Sequence, residues 1–134
     1  VFHDRPAVSG FKRREFEEKY NVEKIKVKVD TLDNVIPKEL KIHFIKIDVE
    51  GAEYQVLQGA IGILKKYKPV IVFEFGLGGS NLYNTTPEMM FDFFEEIGYS
   101  ISLLEYYLND KSPLCRCEFV GQFEKGYNYF FIAY

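Results

Sequence analysis

The chain has 134 residues, which is enough for one domain with a buried core. Its formal charge is −3, and its one cationic cluster, Lys12-Arg13-Arg14, is followed at once by acidic residues, so we expect no nucleic-acid partner. No apolar run approaches the roughly 20 residues that cross a bilayer, and no secretory signal is visible. We therefore expect no membrane span.

The N-terminal part carries weak structural signals. Residues 1–10 have no periodicity and are predicted to form a loop, whereas residues 11–20 are typical of a short, highly charged helix. Ile25, Val27 and Val29 alternate with lysines, which predicts a half-exposed strand.

Two apolar runs flank a helical pattern in the middle of the chain. Residues 43–48 have apolar side chains on both sides of the pleat and predict a buried, parallel strand. Residues 51–67 have apolar side chains at helical spacing, so we expect one helix that Pro69 ends. Residues 70–75 predict the next buried strand. This order is that of a β-α-β unit.

The C-terminal part alternates in the same way. A loop rich in Gly and Asn is predicted at residues 76–85. A helix follows over residues 86–98, with a hydroxyl N-cap, a proline in its first position and an acid in its first turn. Residues 99–104 predict a strand, and the stretch after it through the cysteines is expected to be irregular. Residues 127–134 predict an aromatic strand packed inside the sheet rather than a platform for stacking bases.

Acidic residues cluster where the first buried strand turns into a helix. Asp48 ends the strand, and Glu50 and Glu53 follow it. Ligands of open α/β sheets bind at the carboxyl ends of strands, which favours a functional role. Carboxylates in the first turn of a helix are also stabilised by its dipole, which is a purely structural alternative. We take Asp48 as the functional candidate and interpret Glu53 as a helix-surface residue.

Lys46 lies on the same strand face as Asp48, because side chains alternate along a strand. An unpaired lysine in a central strand would be costly, so we expect Lys46 to pair with Glu74 on the next strand. The pair is either a structural ion pair or a site in which Lys46 orients an acid.

The segment Gly76-x-Gly78-Gly79-Ser80 follows the second buried strand. Its spacing fits neither the dinucleotide fingerprint nor the P-loop, and no helix opens directly on it. We expect a mobile loop over the strand ends, where glycines permit close approach to a ligand.

Cys115 and Cys117 form a C-x-C pair. Two cysteines cannot make a zinc site alone, and neither His3 nor His43 has finger-like spacing. We predict free thiols and a cytoplasmic location. No metal site is assigned, although Asp48, Glu50 and Glu74 are oxygen donors of the kind that Mg²⁺ uses.

Three motifs together resemble the FkbM family. They are V-D-T-L-D-N at residues 29–34, F-I-K-I-D-V-E-G-A-E-Y-Q-V-L-Q-G-A at residues 44–60 and K-P-V-I-V-F-E at residues 68–74. These enzymes are class I methyltransferases that depend on S-adenosylmethionine and mostly O-methylate sugars and polyketide-type hydroxyls. The specific resemblance covers residues 27–79.

The resemblance implies an α/β, Rossmann-like class I methyltransferase sheet, mostly parallel with an antiparallel last strand. Residues 43–48 and 70–75 would be its fourth and fifth strands. Residues 99–104 would be the sixth strand, and residues 127–134 the antiparallel seventh strand that inserts between the fifth and the sixth.

The resemblance also implies roles for the acidic residues. Asp48 would lie where methyl donor and acceptor meet and is the catalytic candidate, as a general base for the acceptor hydroxyl. Glu50, Glu74 and Lys46 would line the acceptor side. S-adenosylmethionine is the implied cofactor, and a small, carbohydrate-like acceptor is the implied partner.

One part of the family pattern is not found. Members carry a glycine-rich cofactor loop after the first strand and an acidic ribose ligand after the second, and neither precedes Lys24. We therefore expect residues 1–134 to be a single, partial domain, the C-terminal half of such an enzyme, whose own cofactor-binding residues stay unassigned. The edge of the strand at residues 43–48 would then be covered by another part of the protein, a partner or self-association. The alternative is a non-catalytic half-domain that binds a partner or a small ligand through its acidic strand ends.

Overall fold

The computed structural model describes residues 9–12 and 23–134. Within them, four strands and six α-helices follow one another. They are α1 (Leu32–Val35), β1 (Phe44–Ile47), α2 (Glu53–Gln58), α3 (Ile61–Tyr67), β2 (Val70–Glu74), α4 (Pro87–Glu96), β3 (Ile101–Ser102), α5 (Leu104–Leu108), α6 (Arg116–Glu124) and β4 (Phe130–Ala133), with a 3-10 helix at Ser80–Tyr83 between β2 and α4.

The strands form one mixed sheet in the order β1-β2-β4-β3. β1 and β2 are parallel, with Phe44 opposite Val70 and Ile47 opposite Phe73. β4 lies between β2 and β3 and is antiparallel to both. The predicted insertion of an antiparallel last strand is therefore confirmed, as is the α/β class.

β1 is less buried than its apolar sequence predicts. Among the described residues it has one neighbouring strand, β2, so its other edge is open. Ile47 is buried, but Phe44 is 58% exposed. The expectation of a strand buried on both faces was wrong, because no described element covers this side of the sheet.

The helix expected over residues 51–67 is two helices, α2 and α3, separated at Gly59 and Ala60. The carboxylate of Asp33 accepts hydrogen bonds from the backbone N–H groups of Gly62 and Ile63, at 2.8 and 2.9 Å. A side chain from 29 residues upstream therefore caps α3, which lets a second helix start where the apolar period continues unbroken. The predicted end before Pro69 is confirmed.

The helix that starts after Thr86 is confirmed, since the Thr86 hydroxyl accepts a hydrogen bond from the Met89 N–H at 3.3 Å. The strand expected at residues 99–104 is shorter, because β3 has two residues and α5 begins at Leu104. α6 lies in a stretch that was expected to be irregular.

Cysteine explains why α6 was missed. Cys115 is the N-cap of α6, and the Glu118 carboxylate accepts a hydrogen bond from the Cys115 N–H at 2.8 Å. This is a capping box with cysteine where serine or threonine is usual. Cys115 and Cys117 are both free and exposed, with their sulfur atoms 2.7 Å apart.

The N-terminal residues that the structure describes do not form the predicted strand. Residues 23–30 form no strand, and Ile25, Val27 and Val29 are exposed, so that prediction was wrong. The predicted loop and helix at residues 1–10 and 11–20 lie mostly outside the described residues. Among the described residues, no helix is long and apolar enough to cross a bilayer.

The core lies between the sheet and the helices and is largely aromatic. Phe73 of β2 packs against Phe94 of α4 and Phe131 of β4, with ring centroids 5.1 and 5.9 Å apart. Phe75 packs against Phe119 and Phe123 of α6 at 6.0 and 4.8 Å. These contacts hold the end of β2, and thus the acidic edge described next.

Candidate functional site

Asp48 and Glu74 meet at the carboxyl edge of the two parallel strands. Since Ile47 pairs with Phe73, the residues that follow them in sequence, Asp48 and Glu74, are neighbours. Carboxylate oxygens of Asp48, Glu50 and Glu74 all lie within 4.8 Å of one another. The structure therefore brings together the three acids that the sequence selected, at the edge where ligands of such sheets bind.

Lys46 pairs with Asp48 rather than with Glu74, so that prediction was wrong. The Lys46 Nζ and an Asp48 carboxylate oxygen are 2.7 Å apart. Asp48 directly follows β1 and lies two residues after Lys46, and both side chains keep contact with water. Lys46 therefore forms its ion pair with a residue of its own chain segment instead of with Glu74 on β2.

Glu74 and Asp48 have pKa values displaced in opposite directions. Partial burial raises the pKa of Glu74 to about 7, and its hydrogen bond with Asp48 and repulsion from the neighbouring carboxylates act in the same direction. The hydrogen bond from Lys46, followed by the one with Glu74, lowers the pKa of Asp48. At pH 7 Glu74 is therefore about half protonated, whereas Asp48 is ionised.

A tight turn after β1 directs Glu50 into the site. Glu50 and Gly51 have φ angles of 58° and 103°, so both are in left-handed conformations. Glu53, interpreted above as a helix-surface residue, is instead only 2% exposed. One of its carboxylate oxygens accepts hydrogen bonds from the N–H groups of Val49 and Gly51, each at 3.1 Å. Glu53 is the structural support of this turn.

The loop after β2 lies beside the strand ends, as expected. Together with the turn after β1 it lines a cleft of about 170 Å³, hereafter the acidic cleft. Its lining residues are Glu50, Gly51, Glu53, Glu74, Phe75, Gly76, Leu77, Gly78, Gly79, Ser80 and Tyr129. The Ser80 hydroxyl is buried and donates to the Gly76 carbonyl at 2.9 Å, so it shapes the loop rather than facing a ligand.

Tyr129 is the lining residue that sequence reasoning missed. It was assigned to a strand packed inside the sheet, yet β4 begins one residue later and Tyr129 is 46% exposed. Because β4 is antiparallel to β2, its beginning lies at the carboxyl end of β2. The antiparallel direction of the last strand could have revealed Tyr129, because it brings the first residues of that strand to the carboxyl edge of β2.

The family can now be decided. The model of the methyltransferase FkbM domain matches residues 3–101, which is more than half of the chain. The chain belongs to the FkbM methyltransferase family. Searches of curated proteins and of solved structures returned no significant match. As an FkbM domain, the protein is a methyltransferase, and the acidic cleft lies at the edge of its sheet where class I methyltransferases were expected to act.

The acidic cleft of this FkbM domain is too small for a whole methyl donor. Typical small-molecule sites have volumes of roughly 300 to 1,000 Å³, well above the cleft's volume. The acidic cleft alone therefore does not fit S-adenosylmethionine. The carboxylate oxygens that line the cleft suit hydroxyl groups, because they accept the hydrogen bonds that hydroxyls donate.

Asp48, Glu50 and Glu74 could offer oxygen ligands to a Mg²⁺ ion. The Lys46 ammonium lies 2.7 Å from an Asp48 oxygen and would compete with a cation for that carboxylate. We assign no metal to the FkbM domain.

Proposed function

We propose that the protein is an O-methyltransferase that depends on S-adenosylmethionine, and that its acceptor is a hydroxyl of a sugar or a similar polyol. The observation that carries this proposal is the position of Asp48 and Glu74 side by side at the carboxyl edge of β1 and β2, with carboxylate oxygens within 4.8 Å of each other. An alcohol is a weak nucleophile, and a carboxylate beside it can accept its proton during methyl transfer.

Asp48 is the proposed general base. Its lowered pKa keeps it ionised, and the Lys46 ammonium 2.7 Å away fixes the carboxylate in one orientation. Lys46, expected from the sequence to line the acceptor side, is thus proposed to orient Asp48. The same ion pair weakens Asp48 as a base, so its basicity depends on its other neighbour.

That neighbour is Glu74, and its protonation state changes the basicity of Asp48. With Glu74 protonated, Asp48 receives a second hydrogen bond and is a poor base. When Glu74 loses its proton above pH 7, the two carboxylates repel each other, and the pair accepts a proton more readily. Turnover should therefore rise as the pH increases through about 7.

Glu50 and Glu74 are proposed to bind neighbouring hydroxyls of the acceptor. Both line the acidic cleft, and several acceptor oxygens on one side suit a ligand with several hydroxyl donors. S-adenosylmethionine supplies a methyl group on a sulfonium centre, and no residue of the described part of the chain is assigned to bind it.

The test is transfer of a labelled methyl group from S-adenosylmethionine to a panel of methyl glycosides and acyclic polyols. We expect Asp48→Asn to lower kcat by about 10²- to 10⁴-fold with little change in the KM for the acceptor. Asp92→Asn is the matched control, since Asp92 is an exposed carboxylate of α4 that pairs with Arg116, and it should leave kcat unchanged.

Two outcomes would contradict the proposal. Wild-type protein that binds S-adenosylmethionine but transfers no methyl group to any compound of the panel would refute the reaction and the acceptor class. Unchanged turnover in Asp48→Asn would remove Asp48 from the mechanism. The non-catalytic alternative is disfavoured by the family match. The cytoplasmic location and self-association through the open edge of β1 stay predictions.

A further inference from the structure

Tyr129 places an aromatic ring on the rim of the acidic cleft. The residue lines the cleft together with Glu50 and Glu74, and it is 46% exposed. Tyr127, two residues earlier, is 67% exposed but does not line the cleft. A large ring left open to solvent beside convergent carboxylates is the usual composition of a binding site, with apolar surface for contact and a few polar groups for orientation.

Gly76 holds this ring in place. A β-carbon on Gly76 would lie 2.3 Å from Cδ1 of Tyr129, so the ring occupies the space that any other side chain at residue 76 would need. The Phe75 N–H also donates to the Tyr129 carbonyl oxygen at 2.7 Å. The Tyr129 ring is therefore fixed on the loop after β2, one residue beyond the pair formed by Glu74 and Phe130.

A fixed aromatic face beside carboxylates matches the chemistry of a pyranose ring. The C–H groups on one face of a pyranose form a flat apolar surface, and an aromatic face attracts their weakly positive hydrogens. The hydroxyls at the edge of the same ring are hydrogen-bond donors for Glu50 and Glu74. An acyclic polyol has similar hydroxyls but no flat face to place on Tyr129.

We propose that Tyr129 is the stacking platform of the acceptor subsite and that the acceptor is a cyclic sugar rather than an acyclic polyol or a polyketide. This inference rests on the proposed function, because it names the acceptor of the same site. In this proposal the Tyr129 ring selects the acceptor, whereas Asp48 and Glu74 take part in methyl transfer. Acceptor binding and methyl transfer can therefore be tested separately.

The experiment is a binding measurement without methyl donor. Saturation-transfer NMR and calorimetry are used to compare methyl pyranosides with acyclic sugar alcohols of the same hydroxyl count. We expect wild-type protein to bind at least one pyranoside about tenfold more tightly than its acyclic counterpart, with saturation on the ring C–H groups. Tyr129→Leu, which keeps an apolar contact with Gly76, should weaken that binding about tenfold, whereas Tyr129→Phe should change it less than twofold.

Two controls separate the platform from general damage. Tyr127→Leu removes a more exposed tyrosine outside the cleft and should leave pyranoside binding unchanged. Gly76→Ala should displace the Tyr129 ring and reproduce the loss, whereas Gly121→Ala, at a site with nothing within 4 Å of the added β-carbon, should not. Thermal unfolding of each variant shows whether it is folded.

The outcomes distinguish this inference from the proposed function. Pyranoside binding that depends on Tyr129, in a protein that binds S-adenosylmethionine but methylates no hydroxyl, would support the platform and refute the reaction. Methylation of acyclic polyols as efficient as that of pyranosides, equal binding of both, absence of pyranoside binding, or unchanged binding in folded Tyr129→Leu would each overturn the platform.

Discussion

Gly51 and Gly79 lie backbone against backbone, and this contact joins the turn after β1 to the loop after β2. A β-carbon on Gly51 would lie 2.3 Å from both the carbonyl carbon and the carbonyl oxygen of Gly79. Because the obstructing atoms are backbone atoms, they cannot move aside as the end of a side chain could. The two loops that line the acidic cleft are therefore in close contact at a point where residue 51 needs to be glycine.

Gly51→Ala should destabilise the protein strongly. The residue has a φ of 103°, which strains an alanine, and the added methyl group would force the loop after β2 away. We expect the free energy of unfolding, measured with urea, to fall by about 3 kcal/mol. The control is Gly121→Ala within α6, which should gain about 0.5 to 1 kcal/mol from helix propensity. Equal stability of Gly51→Ala and wild type would contradict the packing of the two loops.

The acids of the site could be predicted from the sequence because a general rule applies to them. Apolar runs end at Asp48 and Glu74, and carboxyl ends of parallel strands meet at one edge. The partner of Lys46 could not be predicted, because it depends on whether β1 is an edge strand. The role of Tyr129 was missed although an antiparallel last strand was expected, because residues 127–134 were predicted as one strand inside the sheet, whereas β4 begins at Phe130 and leaves Tyr129 at the edge.

The role of Glu53 also depends on geometry that the sequence hides. Its position in the first turn of a helix is typical of an exposed residue, but the left-handed Glu50 and Gly51 fold the turn back over it. Burial of a carboxylate is tolerable there because two backbone N–H groups point at one of its oxygens. Helical spacing alone does not reveal such a turn.

Glu53→Ala should destabilise the turn after β1. The N–H groups of Val49 and Gly51 would lose their acceptor in a largely buried place, which we expect to cost about 3 kcal/mol in the free energy of unfolding. Glu53→Gln keeps a carbonyl acceptor and should cost about 1 kcal/mol. Glu96→Ala, at an exposed glutamate of α4, is the control and should change stability by less than about 0.5 kcal/mol. A loss for Glu53→Ala no larger than this control would show that Glu53 does not hold the turn.

Asp33→Ala should weaken the start of α3. The change leaves the Gly62 and Ile63 N–H groups without their acceptor, and loss of such a cap costs about 1 to 2 kcal/mol. Hydrogen exchange at these two amides should accelerate more than exchange in α4, which localises the effect. Asp92→Ala removes an exposed ion pair and should cost less than about 1 kcal/mol. Unchanged exchange at Gly62 and Ile63 would mean that α3 does not need this cap.

Glu74→Gln should stabilise the protein at alkaline pH and not at acidic pH. The pKa of Glu74 is about 7 in the folded protein and lies above its ordinary value of 4.5, so the folded state holds the proton more tightly. Wild-type stability therefore falls as the pH rises from 4.5 through 7, and the amide removes this loss. Because the side chain is partly exposed, we expect a gain of about 1 kcal/mol at pH 8, less than the full shift implies. At pH 5, where Glu74 is largely protonated and Asp48 still ionised, the variant and the wild type should be nearly equal. Urea unfolding at both pH values measures the difference, with Glu96→Gln as the control. A difference that is the same at pH 5 and pH 8 would show that Glu74 does not hold a proton in the folded protein.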